Sequence, residues 1–408
     1  MFVYIMKQVP ITGEFKKALP VLKTIQSAGF EAYFVGGSVR DAVLNKAVND
    51  VDIATSAFPQ EIKKLFKKTV DVGIEHGTVM VLMEDESYEV TTFRTESTYQ
   101  DFRRPDSVTF VRSLKEDLKR RDLTINAFAM DDTGEIKDFF GGEQDLNNKV
   151  IRAVGKAEER FHEDALRMMR AVRFAAQLGF HLEADTFYAI VVNAHLLKNI
   201  AVERIRIEFV KMAMGKHLME GMTGFIESNL YKYCPGLIHA NKELEKVAKV
   251  KEPIENERHV WALLLYYLGI QEEKEAHAFL KRWKLSNQLI KESTDLHQLF
   301  LHRLLFEHTN ETVYQYKKER ALEAEILLNQ VGKTGNNKSV ERIDDELPIH
   351  SRDDLAINGK IILQETERSG GKWLGIAISA AEKAVVKGKL ANETSEILIY
   401  LKENNYMP

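Results

Sequence analysis

The chain has 408 residues, with 57 Lys and Arg against 61 Asp and Glu for a formal net charge of -4, 44% apolar residues, 8 Pro and 1 Cys. That length holds roughly two to four domains with a sizeable core, and that composition excludes a disordered or collagen-like chain. The lone Cys234 excludes an internal disulfide or a cysteine-based zinc site, and the near-balanced charge argues against a strongly basic nucleic-acid binder while allowing a local basic face.

The apolar N-terminus is interrupted at Lys7, Pro10 and Gly13, too early for a signal peptide, and no stretch reaches the roughly 18 uncharged apolar residues of a membrane span. The expectation is a soluble, cytoplasmic protein with no membrane partner. Between Ala32 and Met130, β-prone runs predict strands at Ala32 to Val35, Val51 to Ala54, Thr78 to Met83, Tyr88 to Phe93 and Val108 to Val111, separated by Gly-marked turns. The acidic turn Glu84-Asp85-Glu86-Ser87 predicts an antiparallel hairpin between the third and fourth of these. Helical spacing covers Val39 to Leu44 and Pro59 to Lys67, the second with Pro in its first turn. A small mixed sheet carrying helices accounts for this third of the chain.

From about Ala157 onward strand signals nearly vanish. Helical spacing runs through Phe161 to Leu178, Ala184 to Leu197, Glu203 to Met214, Trp261 to Leu268, Glu275 to Trp283, Ser286 to Leu305 and Thr312 to Leu328. The expected fold class is therefore α+β, a mixed-sheet domain followed by an all-α array, with joints near Lys251-Glu252-Pro253 and at Gly332 to Ser339.

The chemistry concentrates in Gly36-Gly37-Ser38-Val39-Arg40-Asp41, followed by Asp50-Val51-Asp52-Ile53-Ala54-Thr55. On a strand, Asp50 and Asp52 share one face while Val51 and Ile53 point into the core. Paired carboxylates repel unless a cation neutralises them. Mg²⁺ suits such a pair because it prefers hard oxygen ligands and binds one or two carboxylates together with substrate phosphates. Two such ions can clamp the attacking and leaving oxygens of an in-line phosphoryl displacement. The Gly36-Gly37 turn between strand and helix lets a phosphate approach backbone N–H groups closely. Taken singly, Asp-x-Asp also reads as an exposed strand edge and Gly-Gly as an ordinary turn; their combination favours phosphoryl transfer.

Together these segments resemble the first motif of the class II tRNA nucleotidyltransferases and bacterial poly(A) polymerases, in the polymerase-beta-like nucleotidyltransferase superfamily. Later family motifs are matched in order by Arg120-Arg121-Asp122-Leu123-Thr124-Ile125-Asn126-Ala127, by Asp138-Phe139-Phe140-Gly141-Gly142 through Asp145-Leu146, by Glu163-Asp164-Ala165-Leu166-Arg167-Met168-Met169-Arg170 and by Glu203-Arg204-Ile205-Arg206-Ile207-Glu208. Asp354-Leu355-Ala356-Ile357-Asn358-Gly359-Lys360 and Gly371-Lys372-Trp373-Leu374-Gly375 resemble the tail of the Gram-positive-type CCA-adding enzymes. The resemblance spans essentially the whole chain. It implies a catalytic nucleotidyltransferase head over 1–148, a nucleotide-recognition neck over 149–214, a helical body over 215–305 and a helical, tRNA-binding tail over 306–408, as a monomer or homodimer. It also implies template-independent addition of C, C and A to the 3′ end of tRNA from CTP and ATP, with Mg²⁺ at Asp50 and Asp52. A poly(A) polymerase, a partial enzyme adding only CC or only A, and an inactive RNA-binding relative share these motifs.

By the same resemblance Asp164 and Arg167 recognise the base; three apart on a helical stretch, they would share one face. A carboxylate accepts a hydrogen bond from the amine of cytosine or adenine, and a guanidinium donates beside it, whereas guanine and uracil place a carbonyl where the amine would be. Without the other motifs the pair reads as a surface ion pair. Asp122 would accept from a ribose hydroxyl, and Arg121, Arg170 and Arg173 would contact the triphosphate. Gly37, Arg40 and Asn126 complete the nucleotide site, although the Arg120 to Asn126 segment also reads as a salt-bridged helix surface.

Arg94 to Asp106 is polar and contains Pro105, which predicts a mobile loop of the kind that gates active sites. In the family such a loop accompanies the switch from C to A addition. Gly332-Lys333-Thr334 lacks the rest of a P-loop, and His76, His162, His259 and His277 form no evident metal cluster. Tyr314 to Lys318, Arg352, Lys360, Arg368 and Lys372 either contact RNA or form a solvated face.

Overall fold

The computed structural model describes residues 8–84, 86–96, 108–366 and 369–407; the expected gating loop from position 97 to 106, and Arg368, lie outside them. The chain divides into two compact units, Met1–Ala248 and Lys249–Pro408, with the division close to the Lys251-Glu252-Pro253 joint.

The first unit contains β1 (Ala32–Val35), β2 (Asp52–Thr55), β3 (Thr69–Gly73), β4 (Thr78–Leu82), β5 (Ser87–Thr92), β6 (Arg94–Glu96), β7 (Val108–Phe110), β8 (Phe128–Met130) and β9 (Ile136–Asp138). Seven of these form one sheet in the order β3-β4-β5-β2-β1-β8-β9, and β6 pairs with β7. The sheet is mixed: β2 runs parallel to β5 and antiparallel to β1. The expected hairpin is present, with Val79 opposite Val90 and Val81 opposite Tyr88, all four buried. Four of these strands escaped the sequence pattern: β6 because Arg94–Glu96 opens the polar segment expected to be a loop, yet pairs with β7, and the other three for separate reasons. Phe128, Ala129 and Met130 are all buried and so show no alternation, β9 is only three residues long, and β3 is an edge strand with Val70 and Val72 exposed.

Helices α1 (Gly13–Ser27), α2 (Gly37–Val43), α3 (Pro59–Leu65), α4 (Leu114–Lys119) and α5 (Gly142–Asn148) accompany the sheet. They are followed by α6 (Ala157–Glu163), α7 (Leu166–Leu178), α8 (Ala184–Asn193), α9 (Val202–Ala213), α10 (Leu218–Glu227) and α11 (Asn241–Val247). The strongly amphipathic α7 lies between α9 and α10. Close approach of α10 requires a small residue: a Cβ at Gly221 would lie 2.7 Å from the Val172 carbonyl oxygen. The single helix expected from Phe161 to Leu178 is broken at Asp164, whose backbone is extended (φ -139°, ψ 104°). Its Oδ1 accepts the Leu166 N–H at 3.0 Å, and this side-chain acceptor ends one helix and starts the next.

The second unit is all helical, with α12 (Glu257–Tyr267), α13 (Glu273–Arg282), α14 (Asn287–Arg303), α15 (Asn310–Gln330), α16 (Asn337–Asp345), α17 (Gly359–Gln364), α18 (Lys372–Val386) and α19 (Thr394–Glu403). Trp261 and Trp283 pack 5.2 Å apart between ring centroids, and Arg303 pairs with the buried Glu325 at 2.6 Å. Ile349, Ile362, Ala377, Val385, Ile397 and Leu401 belong to a separate C-terminal core. No helix among the described residues is long and apolar enough to cross a membrane.

Candidate active site

Strand β1 delivers the chain to Gly36 at φ 76° and ψ -137°, a conformation that residues with a Cβ adopt only under strain. A Cβ there would also lie 3.0 Å from Arg121 Nη1. Helix α2 begins at Gly37, and from its first turn Arg40 donates through Nη1 to Asn126 Oδ1 at 2.6 Å and through Nε and Nη2 to Asp41 Oδ1 at 2.9 and 2.8 Å. Neighbouring β2 starts at Asp52, paired with Val35. Asp50 therefore precedes the strand instead of lying in it. The alternation nevertheless holds, since Val51 and Ile53 are buried while Asp50 and Asp52 are exposed.

Asp52 opens onto a cleft of about 690 Å³ that lies wholly within the first unit. Its lining includes eight arginines, Arg40, Arg94, Arg120, Arg121, Arg167, Arg170, Arg173 and Arg204, against the three aspartates Asp52, Asp122 and Asp164. Gly36, Gly37 and Asn126 complete the backbone turn side of the cleft. Such an excess of forked cationic donors suits a polyphosphate. The chain's overall acidity thus hides a locally basic site.

The arginines are held by carboxylates from distant parts of the chain. Arg170 Nε donates to Asp122 Oδ2 at 2.6 Å, and Asn126 Nδ2 donates to Asp122 Oδ1 at 3.2 Å. Arg173 Nε pairs with Glu208 at 2.9 Å. The buried Asp117 on α4 accepts from Arg120 Nε and Nη2 at 3.1 and 2.9 Å and from the Arg94 backbone N–H at 3.2 Å, with Arg121 Nη2 3.6 Å away. Arg94 also donates to the His76 carbonyl. The side chains of Asp164 and Arg167 do not pair, although the Arg167 N–H donates to the Asp164 carbonyl at 3.0 Å: Asp164 Oδ2 accepts from Arg204 Nη2 at 2.7 Å, while Arg167 Nη1 donates to Glu163 at 2.6 Å and Nη2 to the Arg120 carbonyl at 2.9 Å. Their expected placement on one continuous helix is corrected by the break at Asp164, yet both border the cleft.

These surroundings set the charges. Burial, then Glu89, raises the pKa of Asp52; Arg121 opposes and Asp50 adds to the rise. Asp52 is exposed, yet it also lines a smaller cleft with Glu89, Asp117, Arg120 and Arg121, and those walls account for a desolvation effect on an exposed carboxylate. No cationic side chain among the described residues lies within ion-pair distance of it. Asp122 behaves oppositely: burial pushes it up, but the Arg170 charge and hydrogen bond, the Asn126 hydrogen bond and the Arg167 charge bring it down to about 2. Burial lowers the Arg121 guanidinium, with Asp117 opposing. For Arg170 burial also acts downward, and the Asp122 charge and hydrogen bond reverse it to a net rise.

Of the residues expected from sequence, Gly37, Arg40, Asp52, Arg121, Asp122, Asn126, Asp164, Arg167, Arg170 and Arg173 line this one cleft, and Asp50 lies beside it in sequence without lining it. Sequence reasoning missed Asp117, Phe174, Gln177 and Glu89. Phe174 and Gln177 follow Arg170 at helical i+4 and i+7 spacing, and Asp117 precedes Arg121 by four, so periodicity could have found all three. Glu89 acquires its place only through the parallel pairing of β5 with β2. Among the described residues no three His, Cys, Asp or Glu side chains are grouped to hold a metal.

Three family profiles match: the poly(A) polymerase head domain over residues 32–152, an RNA and SrmB-binding site of polymerase A over 179–240, and tRNA nucleotidyltransferase domain 2 over 252–401. A CCA-adding enzyme of Enterococcus faecalis is 53% identical over 98% of this chain and 98% of its own length. The chain belongs to the CCA-adding enzyme family. A second family member, from Ligilactobacillus salivarius, is 50% identical over 95% of this chain and 96% of its own. Among solved structures, the Bacillus stearothermophilus CCA-adding enzyme in complex with CTP is 41% identical, covers 97% of this chain and 98% of its own, and superimposes with a TM-score of 0.88. The α+β fold with a helical C-terminal part is thus the fold of the family.

Proposed function

We propose that this chain adds C, C and A in turn to the 3′ end of tRNA, taking CTP and ATP as substrates, releasing pyrophosphate and using no nucleic-acid template. The observation that carries the proposal is the full-length likeness, at 53% identity, to a CCA-adding enzyme. The arginine-rich cleft beside Asp52 supplies its chemical rationale.

Asp50 and Asp52 would hold Mg²⁺. Their hard oxygens, and the negative potential that Glu89 and Asp50 add around Asp52 against the opposing Arg121, fit such an ion. When bound, the metal would lower the pKa of the tRNA 3′-hydroxyl and neutralise charge on the leaving pyrophosphate. Arg121, Arg170 and Arg173, with Arg40 behind them, grip the triphosphate through planar donor forks. Asp122 offers a permanently ionised acceptor to a ribose hydroxyl, since its low pKa keeps it charged throughout the physiological range. Asp164 and Arg167 read the amine and adjacent ring acceptor common to cytosine and adenine, and their present partners Arg204 and Glu163 orient them before a base arrives. Guanine or uracil would leave a carbonyl facing the Asp164 carboxylate. The head at 1–148 performs the chemistry, the neck at 149–214 reads the base, and the body at 215–305 and tail at 306–408 hold tRNA by shape and phosphate contacts in the cytoplasm.

Incubation of the purified protein with tRNA lacking its terminal three nucleotides, with CTP and ATP separately and together, tests the proposal. CC is expected with CTP alone, and CCA with both. Unlimited A addition without C would replace this reading with a poly(A) polymerase. Asp164→Ala is expected to raise GTP and UTP incorporation relative to CTP and ATP; unchanged selectivity would remove the base-reading assignment.

A further inference from the structure

We infer that Phe174 is a positioning residue for the nucleotide site, its ring serving as the shared face on which Arg40, Arg170 and Arg173 are held together. The Cζ atoms of Arg173, Arg40 and Arg170 lie 4.1, 4.9 and 5.6 Å from the Phe174 ring centroid. Arg40 comes from α2 and the other two from α7, so the ring joins two elements that are far apart in sequence. Phe174 borders the polar cleft itself, whereas an ordinary core ring such as Phe161 does not.

Three neighbouring guanidiniums repel one another. Each has one carboxylate of its own, Asp41 for Arg40, Asp122 for Arg170 and Glu208 for Arg173. The crowding is visible at Arg173, whose pKa is pushed down to about 10 by burial, with Glu208 opposing and Arg170 and Arg40 adding to the fall. A further carboxylate would relieve that repulsion but would also repel an incoming triphosphate. A phenyl face attracts cations through its quadrupole and carries no net charge. It can therefore gather the arginines while leaving their combined charge for the phosphates. Each contact of this kind is worth about two- to thirtyfold in an equilibrium constant.

The inference rests on the proposed triphosphate role of these arginines, and the experiment separates the two. Pentafluorophenylalanine introduced at position 174 of the full chain keeps the ring's shape and reverses its quadrupole. The expected result is a rise of about tenfold in KM for both CTP and ATP, a matching loss of inhibition by pyrophosphate, and a kcat within about twofold of the parent. Phe174→Tyr, which retains an attracting face, is expected to keep the parental KM, and Phe174→Leu to behave as the fluorinated protein does. A lowered melting temperature with parental KM and pyrophosphate inhibition in the fluorinated and Leu proteins would make Phe174 a packing residue only and overturn the inference. If Arg170→Ala also leaves the KM of both nucleotides unchanged, the triphosphate reading itself falls. If Arg170→Ala raises KM while the fluorinated ring does not, only the role of Phe174 falls.

Discussion

Replacing Asp122 by Asn preserves side-chain shape and removes one buried charge. In the parent that carboxylate accepts from Arg170 Nε at 2.6 Å, the Leu123 N–H at 2.8 Å and Asn126 Nδ2 at 3.2 Å. Its pKa of about 2 compares with about 3.9 for an unfolded Asp. At about 1.4 kcal/mol per unit, the difference contributes about 2–3 kcal/mol of stability at neutral pH. Because the folded value is depressed, the contribution is complete above about pH 5, falls to about half by pH 3 and is lost as pH drops through about 2. The substitution also leaves the mostly buried Arg170 guanidinium without its counter-ion, so a total loss of about 2–3 kcal/mol is expected at pH 7. For a unit the size of Met1–Ala248, each kcal/mol moves the melting temperature by about 2–4 °C. Thermal unfolding of Asp122→Asn should therefore fall about 4–12 °C below the parent at pH 7, with a gap that narrows towards pH 3. Deoxynucleotide incorporation should rise relative to CTP in the same protein. A gap below about 1 °C at pH 7, or one that does not narrow on acidification, would refute the electrostatic account of Asp122.

Two further substitutions probe the rest of the cleft. Asp52→Asn should lower nucleotide transfer by about a thousandfold or more, corresponding to several kcal/mol of transition-state stabilisation. It should also raise the melting temperature at pH 7: the raised folded pKa means that ionised Asp52 costs stability above that value, a cost absent below the unfolded pKa, so the gain must shrink on acidification. A less stable Asp52→Asn protein at pH 7 would contradict this sign. Asp117→Ala removes the side-chain acceptor of the Arg94 N–H and a shared counter-ion of Arg120 and Arg121, with an expected loss of about 2–4 kcal/mol in thermal or urea unfolding and a higher KM for both nucleotides. Unaltered unfolding and KM together would show that Asp117 organises neither.

The family and its reaction were legible in the sequence because the residues that carry them occur in short ordered segments. Gly36-Gly37 and Asp50 to Thr55 mark the family through residue type and spacing, and the hairpin of Thr78–Leu82 with Ser87–Thr92 announces itself through alternation and an acidic turn. Where local pattern carries no contrast, the reading failed: Phe128–Met130 is buried on every side, and the break at Asp164 depends on one side chain capturing a backbone N–H. Residue types, strand and helix periods and the order of the motifs were determined along the chain itself, since propensity and alternation act over a few neighbours. Tertiary structure alone decided the partners. Arg40 finds Asn126 across 86 positions and Arg170 finds Asp122 across 48, while Glu89 reaches the surroundings of Asp52 through a strand pairing. A charge has its effect through the few ångströms around it, and only folding determines which groups come within that range.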